Sequence, residues 1–287
     1  MKKLLHGILL FLIFIPQVFS QINKPVVDLI LPTETSELEY ISKKLSKNNS
    51  FNVTTYINVL PKEENRGDLL IIVSDKLLPL MNTDSYPAKF ALYVNSLNFK
   101  SKNLKASSAL FSDQPIQRQL LLLSHIFDKK IIVGIPYYND FYKSVLTKEA
   151  DNFNDLEFLI VKTEINDIRT VSKVIQNSDV LLATPEKRIY NSQTIRSILL
   201  GSYRHQTAVI GPNEGFVTAG ALASVASSSD QYIDELIIMI EDYIETKKIP
   251  ESRYPKNFII KINTHVAESL GISISSEDQL LKIMKDD

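Results

Sequence analysis

Short, unbroken apolar runs alternate along the chain with stretches whose apolar positions recur every three or four residues. The runs predict strands at Val26–Leu31, Phe51–Asn58, Leu69–Val73, Phe90–Val94, Lys130–Ile135, Glu157–Val161, Val180–Ala183 and Ala208–Gly211. Their cores are continuous and β-branched, as in Leu69-Leu70-Ile71-Ile72-Val73, rather than alternating. A strand apolar on both faces belongs to a parallel sheet covered by helices on either side. The clearest helix follows Ser229, where Tyr232, Ile233, Leu236, Ile237, Ile240, Tyr243 and Ile244 form one stripe, with Asp234, Glu235, Glu241 and Glu245 outside it. Ser229 or Asp230 is placed to cap its first turn, and Pro250 lies beyond its end. Weaker helical patterns run through Leu38/Ile41/Leu45, Ile168/Val171/Val174/Ile175 and Ile195/Ile198/Leu199. A short last helix reads from Thr264 as cap, through Val266 and Leu270, to Gly271 as its stop.

Repeated strand–helix alternation predicts an α/β fold with right-handed crossovers. Periodicity leaves open whether the strands form one large sheet or two smaller ones. The first twenty residues stand apart: Lys2 and Lys3, an apolar run from Leu4 to Ile15, Pro16, then Val18-Phe19-Ser20. That order predicts a secretory signal peptide cleaved after about Ser20, because the apolar run falls short of the roughly 20 residues that span a bilayer. The remainder of the 287 residues has room for two lobes of ordinary domain size, roughly 130 residues each. The expected destination is the periplasm, and the absence of cysteine points to a protein without a lipid anchor.

Composition removes several kinds of chemistry. Without cysteine there are no disulfides, thiolate zinc sites or cysteine nucleophiles. A formal charge of −1, with no concentrated basic segment, argues against a nucleic-acid partner. His6, His125, His205 and His265 are scattered, with no i, i+4 pair, and His125 reads as a partly buried structural imidazole. No Gly-x-Ser-x-Gly elbow, Gly-x-Gly-x-x-Gly fingerprint or Walker A sequence occurs, and Glu63-Glu64 reads as solvated surface. The expectation is a protein without catalysis or a cofactor.

In an open parallel sheet, ligands bind beyond the carboxyl ends of the strands. The residues that follow each predicted strand supply the candidate ligand contacts Thr33, Ser74, Asn95, Tyr137, Tyr138, Thr184, Glu186, Asn213, Glu214 and Phe216. Asp75, Ser96, Thr163 and Glu164 occupy similar positions, and Tyr142 and Tyr190 add to the aromatic walls. Hydroxyls and amides beside aromatic surface are the usual make-up of a small-molecule pocket. Strand ends are polar in any α/β protein, because turns demand it. Between Ser178 and Ser228, Gly211, Gly215 and Gly220 accompany Ala219, Ala221 and Ala223. Such small residues suit either a hinge or a tight helix–sheet contact.

At this segment the sequence resembles the ABC-transporter substrate-binding protein family of the type I periplasmic fold. The likeness is carried by SDVLLATP, the NSQTI helix start, TAVIGPN and GALAS with the amphipathic helix after it. It continues through Ile249-Pro250, the strand Phe258–Ile262, Asn263, and Ala267 with Leu270-Gly271-Ile272. Upstream, Asp113-Gln114-Pro115 before Gln117-Arg118-Gln119-Leu120 also fits, so the likeness covers about Ser108 to Ile274. The resemblance implies two Rossmann-like lobes joined by three crossings, near Asp113, Gly215–Gly220 and Pro250. It places 21–114 and about 217–250 in the first lobe, and about 115–216 and 251–287 in the second. It implies capture of a small polar solute, amino-acid-like or related, in an interlobe cleft for uptake or sensing, with a membrane permease, sensor kinase or outer-membrane receptor as partner. The alternatives are a receptor- or sensor-associated partner protein with a degenerate cleft, and a secreted two-lobed enzyme such as a glycosyltransferase. The latter calls for a carboxylate pair or metal motif at the cleft.

Overall fold

The computed structural model describes residues 24–286, so the predicted signal peptide lies outside the described residues. From the amino end run β1 (Val26–Leu31), α1 (Ser36–Leu45), β2 (Asn52–Ile57), β3 (Leu69–Val73), β4 (Lys89–Val94), α2 (Ser96–Lys100) and β5 (Ser107–Phe111). The five strands form one parallel sheet in the order β2-β1-β3-β4-β5. All five residues of β3 are buried, as a strand covered on both faces requires.

The chain then continues through α3 (Ile116–Ile126), β6 (Ile131–Tyr137), α4 (Asp140–Ala150), β7 (Leu156–Lys162), α5 (Ile168–Gln176), β8 (Val180–Leu182), α6 (Ile195–Arg204), β9 (Ala208–Gly211), α7 (Glu214–Ala219) and β10 (Ala223–Ala226). After α8 (Ser229–Thr246) come β11 (Ile259–Ile262), α9 (Thr264–Leu270) and α10 (Glu277–Asp286). The second sheet has six strands in the order β11-β10-β9-β8-β6-β7. It is parallel except for β11, which pairs antiparallel with β10. Two α/β lobes, each with its own sheet, are what the strand pattern and the resemblance together implied. The helix ending at Gly271 is not the last: α10 follows, burying Leu280 and Met284 against the second sheet.

Alternation along each strand splits its side chains between two layers. In the first sheet Val27, Leu29, Ile71 and Leu92 meet Ile41 of α1 and the stripe of α8, while Ile30, Leu70 and Ile72 meet Leu77, Leu78 and Phe99. Ile233, Leu236, Met239 and Ile240 of α8 are fully buried. Burial of such side chains contributes about 1.5–3 kcal/mol each. Ser228, rather than Ser229 or Asp230, caps α8 in a reciprocal box with Gln231. In the second sheet Val133, Ile135, Leu182 and Ile210 face α3 and α4, and Leu181, Ala183 and Val209 face α5 and α6.

The chain crosses between lobes at 112–115, 227–228 and 255–257. The second and third crossings differ from those expected. Residues 217–226 belong with the second sheet, because β10 hydrogen-bonds to both β9 and β11. The small residues there serve tight packing: a Cβ on Gly211 would collide with Phe216, and Gly220 ends α7 in the left-handed region at φ 119°. Past Pro250 the chain stays with the first lobe. Arg253 N–H donates to Ala109 O (2.9 Å) and Phe111 N–H to Arg253 O (3.0 Å), which closes the open edge of β5.

The three crossings are tied to one another. Gln114 Nε2 donates to Ser227 Oγ at 3.0 Å, and Ser227 Oγ donates to Asn257 O at 2.9 Å. Arg118, at the start of α3, donates to Gln114 Oε1 (2.9 Å) and Lys256 O (3.3 Å) while lying over the Phe258 ring (4.6 Å).

Candidate functional site

A cavity of about 640 Å³ opens between the lobes, walled by the segments that follow six strands. The first lobe supplies Asp75 after β3, Asn95 after β4, and Ser112 and Asp113 after β5. The second supplies Tyr138 and Asn139 after β6, Thr184–Arg188 and Tyr190 after β8, and Pro212, Asn213 and Phe216 after β9. Carboxyl ends of parallel strands thus build both walls, and the volume lies within the range of about 300–1,000 Å³ typical for small-molecule pockets.

Of the ten residues picked from sequence, Asn95, Tyr138, Thr184, Glu186, Asn213 and Phe216 line this cavity. Thr33 does not: β1 is set back from the cavity behind β3, and Thr33 is exposed. Ser74 caps the following turn, its Oγ accepting from Lys76 N–H, and its backbone at φ 95° sends Asp75 to the cleft instead. Tyr137 is 4% exposed and points into the second lobe's core, since alternation along β6 gives the outward place to Tyr138. Glu214 turns outward toward Lys261 at 3.7 Å.

Local structure fixes the lining groups. Asn95 caps α2, its Oδ1 accepting from Leu97 and Asn98 N–H, and its own N–H donates to Asp75 Oδ1 at 3.0 Å. Across the cleft Asn95 Nδ2 reaches Tyr142 Oη at 3.5 Å, the long limit of a hydrogen bond. Asp113, in the first crossing, accepts from Ser96 N–H (2.7 Å) and Ser96 Oγ (2.6 Å). Glu186 accepts from Asn139 N–H (2.7 Å), Tyr138 N–H (3.1 Å) and Thr184 Oγ1 (2.9 Å), and so stands at the cap residue that precedes α4. Burial raises the pKa of both Asp113 and Glu186, against the lowering effect of these donors. The Tyr190 hydroxyl is buried without a hydrogen-bond partner, and its ring meets Phe216 edge-on at 6.0 Å. Arg188 lies over the Tyr138 ring at 4.9 Å.

Sequence reasoning placed Asp75 at a strand end but did not select it, and read Asp113 only as a crossing. A carboxylate after a strand was the available signal for both. Among the described residues no cluster of three or more metal-ligating side chains occurs, and no helix is long and apolar enough to cross a membrane.

In sequence, neither a family model nor a curated protein matches the chain. In structure, the ligand-free, open form of a substrate binding protein with adhesive properties from Clostridium difficile superposes with a TM-score of 0.69. Its identity is 15%, over 88% of this chain and 97% of that one. The fold is that of a type I periplasmic binding protein. The same type I fold is shared with an ABC domain in complex with L-Trp from Streptococcus pneumonia (TM-score 0.59, 14% identity, 91% of this chain and 98% of that one). A conserved domain protein from Vibrio cholerae matches at a TM-score of 0.58 and 16% identity, over 91% and 98% of the two chains.

Proposed function

We propose that the chain is a solute-binding protein that captures a small polar ligand, amino-acid-like or related, between its lobes for uptake or sensing, without catalysing a reaction. The observation that carries this reading is the interlobe cavity, whose walls come from strand ends of both lobes and combine aromatic faces with polar groups. A ligand held by both walls stabilises the closed arrangement of the lobes. The solved structures of like fold that are described as a substrate binding protein and as an L-Trp complex support the same reading. In this reading the amino-terminal segment directs export to the periplasm, and the partner is a membrane permease, a sensor kinase or an outer-membrane receptor.

The test is a thermal-shift screen of amino acids, amines, nucleosides and sugars, followed by small-angle scattering with and without the best compound. A ligand at 100 times its Kd adds about 2.7 kcal/mol to native stability, and closure lowers the radius of gyration. If no compound raises the melting temperature, the solute-binding reading falls in favour of a protein partner with a degenerate cleft. Turnover of the ligand in the same samples contradicts the non-catalytic role.

A further inference from the structure

The inner walls of the cleft carry a one-sided charge. Asp75, Asp113 and Glu186 come from three different strand ends and line the same cavity. Their fields overlap: Asp75 acts on Asp113, and Asp113 and Glu186 both act on the Tyr142 hydroxyl. None of the three forms an ion pair among the described residues. Asp113 and Glu186 are only 5% and 8% exposed, and a carboxylate buried that far without a cation is strongly penalised. The cations on the lining, Lys187 and Arg188, are exposed, and Arg188 is laid over Tyr138.

Two further observations concern the ligand itself. The Tyr190 hydroxyl, 95% buried by the residue's 5% exposure, belongs to a cavity-lining side chain and has nothing to bond to. Such a group is satisfied at little cost by an arriving polar atom. The amino end of α4, an 11-residue helix, is the natural seat for a ligand's carboxylate. There the Glu186 carboxylate takes the N–H groups of Tyr138 and the cap residue Asn139, and Asn139 Oδ1 takes that of Phe141.

On the solute-binding reading above, we infer that the cleft takes an organic cation, an amine without a free carboxylate. Its ammonium, with three donors and no acceptor, meets Asp75 and Asp113, where Asp75 gives only Oδ1 to Asn95 and keeps Oδ2. Its body lies on the faces of Tyr138, Tyr142 and Phe216, which attract cations as well as apolar surface. A carboxylate on the ligand meets Asp75, Asp113 and Glu186, with Glu186 standing at the amino end of α4, while the two cations of the lining are exposed.

Matched pairs differing only by that carboxylate test this: tyramine with tyrosine, tryptamine with tryptophan, histamine with histidine, agmatine with arginine and cadaverine with lysine. Calorimetric titration of the full chain at neutral pH is expected to find, in the tightest pair, the amine binding at least about tenfold better. Asp75→Asn is expected to weaken that amine about tenfold while leaving the melting temperature of the free protein nearly unchanged. Asp113→Asn gives the same loss provided its circular dichroism matches the parent. An amino acid that equals or beats its amine overturns the inference, as does an unchanged amine affinity in Asp75→Asn. If amino acids or sugars bind and no amine does, the solute-binding reading stands and the cation falls. If nothing in the combined panel binds, both fall.

Discussion

Arg253→Met tests whether the strap before the third crossing is locked to the first lobe through a buried charge. Arg253 Nε lies 2.6 Å from Glu235 Oε1, with the Glu235 side chain 5% exposed and the Arg253 side chain 26% exposed. Methionine keeps the two backbone hydrogen bonds to β5 and much of the aliphatic bulk, but leaves Glu235 of α8 without its cation. Removing one member of a buried pair costs roughly 3–5 kcal/mol. Water already reaches a quarter of Arg253, so a value nearer 2–4 kcal/mol is expected, a large share of the roughly 5–15 kcal/mol that typical folds possess. The assay is urea denaturation followed by far-UV circular dichroism, with parent, Arg253→Met, Glu235→Leu and the double variant forming a cycle. The double variant is expected to regain most of the loss, since replacing a whole buried pair by apolar groups is often close to neutral. A single variant within about 0.5 kcal/mol of the parent, or a double variant that is simply additive, refutes the reasoning.

Gly134→Ala places a Cβ 2.5 Å from Val174 Cγ1 and 2.6 Å from Ser178 Oγ, so it is expected to cost about 1–3 kcal/mol in denaturant, with partial recovery on adding Val174→Ala. Leu236→Ala, at a fully buried position of α8 against the first sheet, is expected to lose about 2–5 kcal/mol by the same measurement. Burial raises the Asp113 and Glu186 carboxyls, so the folded chain holds protons that the unfolded chain releases. Their contribution to stability therefore grows as pH falls from their raised folded-state values toward about 4 and is lost as pH rises again. Asp167 and Asp230, held low by Thr170 and Lys44, pull the other way, so the effect is read as the difference between parent and Glu186→Gln across a pH series. Ser227→Ala cuts both ties between crossings at that residue and is expected to cost about 1–2 kcal/mol and to broaden the lobe arrangements seen by scattering.

Much of this architecture was legible where burial is uniform. Val26–Leu31, Leu69–Val73 and Ala208–Gly211 form strands with the predicted bounds, because runs buried on both faces are apolar to their ends, Asp28 being the one charged residue inside them. β5 and β10 escaped because Ser107-Ser108 and Ala223-Ser224 dilute the apolar signal. Their strand character comes from pairing: β5 with β4 and the bridge to Arg253, β10 with β9 and β11. The small residues from Gly211 to Ala223 had two readings, and tight packing of α7 on β9 and β10 accounts for them, so the second crossing moves to 227–228. At the candidate site, the strand-end rule selected Asn95, Tyr138, Thr184, Glu186, Asn213 and Phe216, which line the cavity. It could not say which strands face the other lobe, which is why Thr33 fell away, nor which of two adjacent tyrosines turns inward. The prominence of Asp113 depends on contacts with Ser96, 17 residues earlier in the chain, that no local pattern encodes.

The first lobe is not finished by the first half of the chain. Its sheet ends at Phe111, but one of its layers waits for α8, and the edge of β5 waits for Arg253. As the chain is synthesised, the strands from β6 to β10 emerge before either arrives. The usual order, with the amino-terminal domain complete first, is therefore not available here, and the second lobe in turn waits for β11 and α10. Until α8 emerges, the face that carries Leu29, Ile71 and Leu92 has only α1 to cover it, and transiently exposed apolar surface of this kind invites aggregation or a chaperone.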